Sequence, residues 1–270
     1  VAQWGGDVDL FRGSRHSGNL QANKGKTASA YQPILKNKVN NWLNIIQNKL
    51  LPPRCILCGQ PGMDDLDLCA DCFADLPRNT HCCYRCGENF EVEISAPQLC
   101  GRCLTKSPHF DETHAPFLYQ GNMRYLVAQL KFSHQYKNAR LLASLLAKHI
   151  RETSEVPDCI VPIPLHLNRY RQRGFNQSIE LARHLSNLLA IPVDLHSCIR
   201  NRDTAHQTSL PAKQRRKNMR RAFSIAKTLA FQHVAIVDDV MTTGATASEL
   251  ALTLKQSGVS RVDVWICARA

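Results

Sequence analysis

The sequence predicts a mainly parallel α/β sheet flanked by helices, preceded by a small cysteine-rich module. Three observations carry that expectation. From Asp158 onward, short apolar and β-branched runs alternate with amphipathic stretches, the signature of βαβ units. Between Cys55 and Cys103, four CxxC pairs hold eight of the twelve cysteines. Between His233 and Leu250, an apolar run ends in Asp238-Asp239. It then passes through Thr242, Thr243, Gly244, Ala245 and Thr246 into an amphipathic segment.

In the alternating half, residues 158–162 read as a buried strand. Residues 176–189 read as a helix with Ile179, Ala182, Leu185, Leu188 and Leu189 on its apolar face. Short strands are expected at 191–195 and 222–225, a longer one at 233–237 and a last one at 262–268. Residues 245–256 read as a helix with Ala247, Leu250, Ala251 and Leu254 inward, and Gly258 is placed to end it. Ahead of this half, residues 117–151 read as mostly helical. There Leu142, Leu145, Leu146, His149 and Ile150 share a face, with His149 at the stripe edge rather than a ligand.

Residues 1–33 are rich in Gly, Ser, Asn and Lys without a sustained period, and Val1 is not a methionine; they read as a disordered or non-native leader. Residues 34–54 read as a helix. Ile34, Leu35, Val39, Trp42, Leu43, Ile46 and Leu50 recur at helical spacing, and Pro52-Pro53 stops them. The cysteine module then spans 55–110 and the α/β domain 115–270, a division that 270 residues accommodate. No run approaches the ~18 apolar residues of a membrane span. The N-terminus lacks the order of a secretion signal, so a soluble cytoplasmic protein is expected. Lys plus Arg is 34 against 22 Asp plus Glu, a net +12. That excess favours polyanionic partners, either phosphorylated small molecules or nucleic acid, although a solvated basic surface accounts for the same number.

The cysteines fall in two sets. The first is Cys55, Cys58, Cys69 and Cys72; the second is Cys83, Cys86, Cys100 and Cys103. A CxxC places two thiolates on one tight knuckle, and Gly59 and Gly87 after the second thiol let amides turn toward sulfur. Two knuckles supply the four soft ligands of tetrahedral Zn2+. Disulfides fit poorly in a chain without a secretion signal. Pairing in order gives two zinc ribbons; an interleaved RING-like pairing stays open, as does a slip that puts Cys82 in place of Cys83. Four thiolates leave no open position, so the zinc is expected to be structural, two ions supplying much of the folding energy of a module with few core-forming residues. Cys159, Cys198 and Cys267 lie in apolar segments and read as core thiols.

The acid-hydroxyl stretch has its own logic. A strand that ends in a polar turn with an Asp cap explains one acid and one Thr, not the whole run. Amides at a helix start, with Thr hydroxyls, make a phosphate-sized cradle, and Gly244 lets the backbone come close. Carboxylates just upstream, at the carboxyl end of a parallel strand, can accept hydrogen bonds from vicinal hydroxyls. Together the two ends match a ribose 5-phosphate. The spacing is not that of a GxxxxGK[ST] loop.

Residues 234–246 resemble the PRPP-binding motif of type I phosphoribosyltransferases. The stretch from Val161-Pro-Ile-Pro-Leu-His166 through Arg169 and Arg173-Gly-Phe-Asn-Gln177 adds to this. So does the later pattern of Thr204, Gln207, Leu210, Arg215, Asn218, Ala222 and Phe223. With the cysteine pairs, these residues are similar to the ComF/GntX family over roughly residues 50–270. The resemblance implies a double zinc ribbon joined to a type I phosphoribosyltransferase-like domain. It implies that Asp238 and Asp239 contact ribose hydroxyls and that Met241, Thr242, Thr243, Gly244, Ala245 and Thr246 hold the 5-phosphate of PRPP. Arg169 and Arg173, with Arg171 between them, would face the pyrophosphate, which Mg2+ would bridge. The basic stretch 200–221, with Asp203 its one acid, would be a flap over that pyrophosphate or a track for a nucleic-acid backbone.

The resemblance also implies a role in natural transformation, where imported single-stranded DNA (ssDNA) is handled beside a ComFA-type helicase. Two function classes follow. One is a phosphoribosyltransferase acting on an acceptor that no residue pattern names. The other is a non-catalytic ssDNA-binding or helicase-adaptor protein that uses zinc ribbons and a basic surface.

Overall fold

The computed structural model describes residues 52–63, 66–132, 136–202, 221–227 and 229–270. The chain divides into units Val1–Ile45 and Ile46–Ala270, and every described residue belongs to the second. The leader at 1–33, the helix expected over 34–51 and the flap residues 203–220 lie outside the described residues.

Two strands form the centre. β6 (His233–Met241) and β7 (Arg261–Arg269) pair in parallel, with Val237 opposite Trp265 and Met241 opposite Arg269. β3 (Cys159–Pro162) adds to the free edge of β6, and β1 (Glu112–His114) to that of β7. β2 (Phe117–Leu118) continues the β1 edge, opposite Ala268 and Arg269. The order is therefore β1-β7-β6-β3, all parallel. A parallel sheet is covered on both faces, which is why β6 and β7 read as near-continuous apolar runs. Burial follows: Val234 to Val237 and Val262 to Ala268 are inaccessible or nearly so.

Alternate residues of these strands feed two cores. Ala235, Val237, Trp265 and Cys267 face α3 (Gly121–Phe132), α4 (Tyr136–Thr153) and α6 (Gln177–Leu189). Val234, Ile236, Val264 and Ile266 face α7 (Ala245–Gln256), together with Cys198 of β4 (Cys198–Arg200) and Phe223 of β5 (Phe223–Ile225), which pair antiparallel. The C-terminus of α7 closes as expected: the amide of Gly258 donates to Lys255 O and that of Val259 to Leu254 O, at 3.1 and 3.2 Å. A short helix, α5 (Leu167–Arg173), lies between β3 and α6. The mainly parallel sheet flanked by helices is the fold class the sequence predicts.

Four local expectations change. The strand expected at 233–237 runs on to Met241, because Ile266, Ala268 and Arg269 of β7 keep pairing with it. Both acids therefore lie inside the ladder. The strand expected at 191–195 reduces to one parallel bridge, Val193 to Ile160. Pro192 has no amide to extend the ladder, and Asp194 turns back to accept from His196 N and Ser197 N. The buried face of α6 is Ser178, Leu181, Ala182 and Leu185, while Leu188 is 39% exposed; the helix is rolled so that Ser178 points into the sheet. The mostly helical segment 117–151 begins with β2 instead, held by its pairing to β7. On α4 the expected stripe holds, with Leu142, Leu145, Leu146 and Ile150 buried and His149 half-buried at its edge.

Candidate functional site

The eight paired cysteines gather in the order of the chain. The Sγ atoms of Cys55, Cys58, Cys69 and Cys72 lie within 4.8 Å of one another, as do those of Cys83, Cys86, Cys100 and Cys103. Each set combines a knuckle with the N-terminus of a short helix, α1 (Ala70–Ala74) or α2 (Gly101–Thr105). Gly59 and Gly87 adopt φ +79° and +65°, so their amides fold back onto the carbonyls of Cys55 and Cys83, at 2.9 and 2.7 Å. The spacing of the sulfurs tests the fit to zinc. A tetrahedron with Zn–S of about 2.3 Å has edges of about 3.8 Å; Cys58 to Cys69 and Cys86 to Cys100 are each 3.6 Å.

The thiols also fit a cation chemically. A hydrogen bond with Cys83, then burial, pushes Cys86 up to about 12, and burial pushes Cys103 up to about 12. A bound cation is what lets such groups ionise together. Both tetrads are structural zinc sites with no open ligand position. Cys82 stands outside them, bridged through its backbone to Asn89, and Cys83 is fully buried as a tetrad member. The interleaved pairing and the Cys82 slip are thus both resolved in favour of two consecutive ribbons. A further group, Glu112, His114 and Asp263, is as compact. There, however, Arg261 already donates to both carboxylates, at 3.0 and 3.1 Å.

The second candidate centre lies at the carboxyl end of β6. Strand alternation sends the two acids to opposite sides. Asp238 is half-buried and lines a cavity of about 70 Å³; Asp239 is 3% exposed and is absent from that lining. Asp238 Oδ1 accepts from Ser178 Oγ at 2.8 Å and from its neighbour's amide at 2.9 Å. Asp239 Oδ1 accepts from Val240 N at 2.7 Å.

The same cavity is lined by Met241, Thr242, Thr243, Gly244, Ala245 and Thr246. A water needs roughly 10–15 Å³, so the space has room for a phosphate. Gly244 caps α7 at φ +72°, and a Cβ there would meet Met241 Sδ at 3.3 Å and the Phe110 ring at 3.5 Å. The first turn of a helix carries amides with no partner inside it, and Ala245, Thr246 and Ala247 of that turn all line the cavity. Met241 differs from the other five. It ends the strand, 5% exposed, with its carbonyl accepting from Arg269 Nη1 at 3.1 Å.

Arg169 and Arg173 sit one turn apart on α5, both half-buried, with Arg171 exposed between them. Neither lines the loop cavity, whose β3-side wall is Ile163. Their link to it is indirect. Arg173 Nη1 donates to Gln177 Oε1 at 3.2 Å, and the next residue, Ser178, holds Asp238. Asn176 locks this corner: it caps α6 by accepting from Ser178 N at 2.9 Å and donates to Ile163 O at 3.0 Å. The sequence placed Asn176 as the first residue of the helix; it is the N-cap instead. Ser178 carried no signal in the sequence, because a serine inside an amphipathic run looks like its polar face.

A model of the double zinc ribbon domain matches residues 46–104. The DNA utilization protein YhgH of Salmonella typhimurium is 35% identical over 226 residues, covering 81% of this chain and 98% of its own. Competence protein F of Haemophilus influenzae is 35% identical over 227 residues, covering 80% and 97%. The chain belongs to the ComF/GntX family. The double zinc ribbon of that model coincides with the two tetrads, and a mainly parallel α/β sheet follows it. Among solved structures, the glutamine PRPP amidotransferase of B. subtilis is similar over 48% of this chain, at 22% identity and TM-score 0.33. The chain spans about a quarter of that enzyme's length, 26%. No helix among the described residues is long and apolar enough to cross a membrane.

Proposed function

We propose that this ComF/GntX protein binds PRPP with Mg2+ at the β6–α7 crossing and acts in the cytoplasm in DNA uptake. The observation that carries the reading is the phosphate-sized cavity between Asp238 and the first turn of α7, opened by the left-handed turn at Gly244. Asp238, on the cavity wall, is assigned to the ribose hydroxyls with Asp239 behind it on the other side of the strand, and the amides and hydroxyls from Met241 to Thr246 to the 5-phosphate. Arg169 and Arg173 are assigned to the pyrophosphate that Mg2+ accompanies. In transfer, the bond from C1 of ribose to the pyrophosphate oxygen breaks and pyrophosphate leaves with its electron pair. An acceptor then attacks the oxocarbenium-like carbon. The chain's part in that step is positioning and charge stabilisation at both ends of the substrate.

The names of the relatives, competence protein and DNA utilization protein, support a role in competence and DNA use; single-stranded DNA and a ComFA-type helicase are the partners proposed with that role. Calorimetry of the zinc-loaded protein with PRPP and Mg2+ tests the site: saturable binding is expected, and the Asp238→Asn/Asp239→Asn protein should lose it. An intact, zinc-loaded protein that shows no heat of binding overturns the reading. Pyrophosphate release with candidate acceptors tests turnover separately; binding without release leaves the pocket as a ligand sensor in an adaptor protein.

A further inference from the structure

A second cavity, of about 510 Å³, shares no lining residue with the one at the loop. Its volume is that of a small-molecule site. It is built where the first ribbon meets the α/β domain: Phe73 comes from α1, Arg78 from the segment joining the ribbons, Phe117 from β2, and Lys148, His149 and Glu152 from the last turns of α4.

Two cations are held over its aromatic walls. The Arg78 guanidinium lies 4.3 Å from the Phe73 ring centroid and 4.9 Å from that of Phe117, and the Lys148 ammonium lies 5.4 Å from Phe73. Arg78 Nη2 also donates to Phe73 O at 3.3 Å. Among the described residues neither cation forms an ion pair with a carboxylate. Arg78 is exposed, although partial burial of its guanidinium disfavours the charged form, and burial lowers the pKa of His149. Glu152 is the one acid among the described lining residues.

This chemistry selects its ligand. Two cations set over the Phe73 ring of one cavity favour a dianion over a carboxylate, and a phosphomonoester is close to a dianion at neutral pH. The planar Arg fork suits phosphate oxygens. The cavity is much larger than a phosphate, and Phe117, Pro116 and Leu145 give it apolar walls. The remainder of the ligand is therefore a flat or apolar group. We infer that this cavity binds a nucleoside monophosphate, with the phosphate on Arg78 and Lys148 and the base against the apolar walls. The inference does not depend on PRPP binding at the loop.

The test uses the full, zinc-loaded chain carrying Asp238→Asn and Asp239→Asn, so that any binding seen is not at the loop, with AMP as probe and adenosine as control. AMP is expected to bind, and adenosine at least tenfold more weakly. Arg78→Gln with Lys148→Gln should weaken AMP at least tenfold. Because Arg78 also packs on two rings, the exposed pair Lys148→Gln and Glu152→Gln decides the case if that protein folds poorly. The first should loosen AMP and the second, by removing the acid, should tighten it two- to threefold. Absence of AMP binding, equal affinity for adenosine, or the same affinity in both single variants overturns the inference.

Discussion

The first ribbon packs Cys55, Leu68 and Leu76 into the core beneath α4, whereas the second packs Cys83, Cys86, Cys103 and Phe110 into the core beneath α7. Their ligands and knuckles are alike; their attachments are to opposite faces of one sheet. The second ribbon also touches the candidate site. Arg269, 4% exposed, donates to Cys86 O at 3.0 Å, to Met241 O at 3.1 Å and to Glu88. Phe110, fully buried, backs Gly244. A zinc knuckle thus fixes an arginine that in turn fixes the base of the loop between β6 and α7. What a structural metal does for a protein depends less on its ligands than on what its knuckle leans against.

That contrast can be broken or sharpened by experiment. Metal analysis should give two zinc equivalents. Chelation should remove the largest single contribution, since structural zinc supplies about 10–16 kcal/mol in zinc-finger peptides. Hydrogen exchange should then show protection lost over residues 52–105 and retained in β6 and β7. Losing one zinc at a time is more telling. Cys58→Ser and Cys100→Ser should each drop one equivalent, but only the second should weaken PRPP, by tenfold or more; equal effects would dissolve the distinction between ribbons.

Trp265→Ala, at a fully buried side chain, should cost about 3–5 kcal/mol of stability. It serves as a control, because PRPP affinity of the folded fraction should barely change. Arg269→Lys keeps a charge but loses the fork, and should cost about 2 kcal/mol through lost charge-assisted hydrogen bonds, with a several-fold loss of PRPP affinity by calorimetry. Gly244→Ala forces a Cβ into a left-handed turn. The smallest stability loss, about 1 kcal/mol, is expected there, with a loss of phosphate binding out of proportion to it.

Much of this was legible before any coordinates. The two tetrads could be read because ligand spacing is a local property, and α7 because its apolar spacing and Gly258 are local too. The length of β6 was not legible, since Asp238 and Asp239 look like a strand end until β7 is seen pairing beyond them. The α6 face was misjudged by including Leu188 and missing Leu181, because the roll of a helix is set by the sheet it covers. Among the three arginines after β3, helical geometry separated Arg169 and Arg173 from Arg171. The cavity at the first ribbon left no trace in the sequence, because its walls come from three segments far apart in the chain.

By itself, then, the sequence determined the chemistry on offer: eight thiols in two sets, a strand that delivers two acids to a glycine turn, and the order of strands and helices. Tertiary structure decided how that chemistry is used. It chose Asp238 over Asp239 to line the cavity, through the two-residue alternation of a strand whose register β7 fixes. It also chose which ribbon supports the loop, because long-range packing of Phe110 and Arg269 joins residues that no local spacing relates.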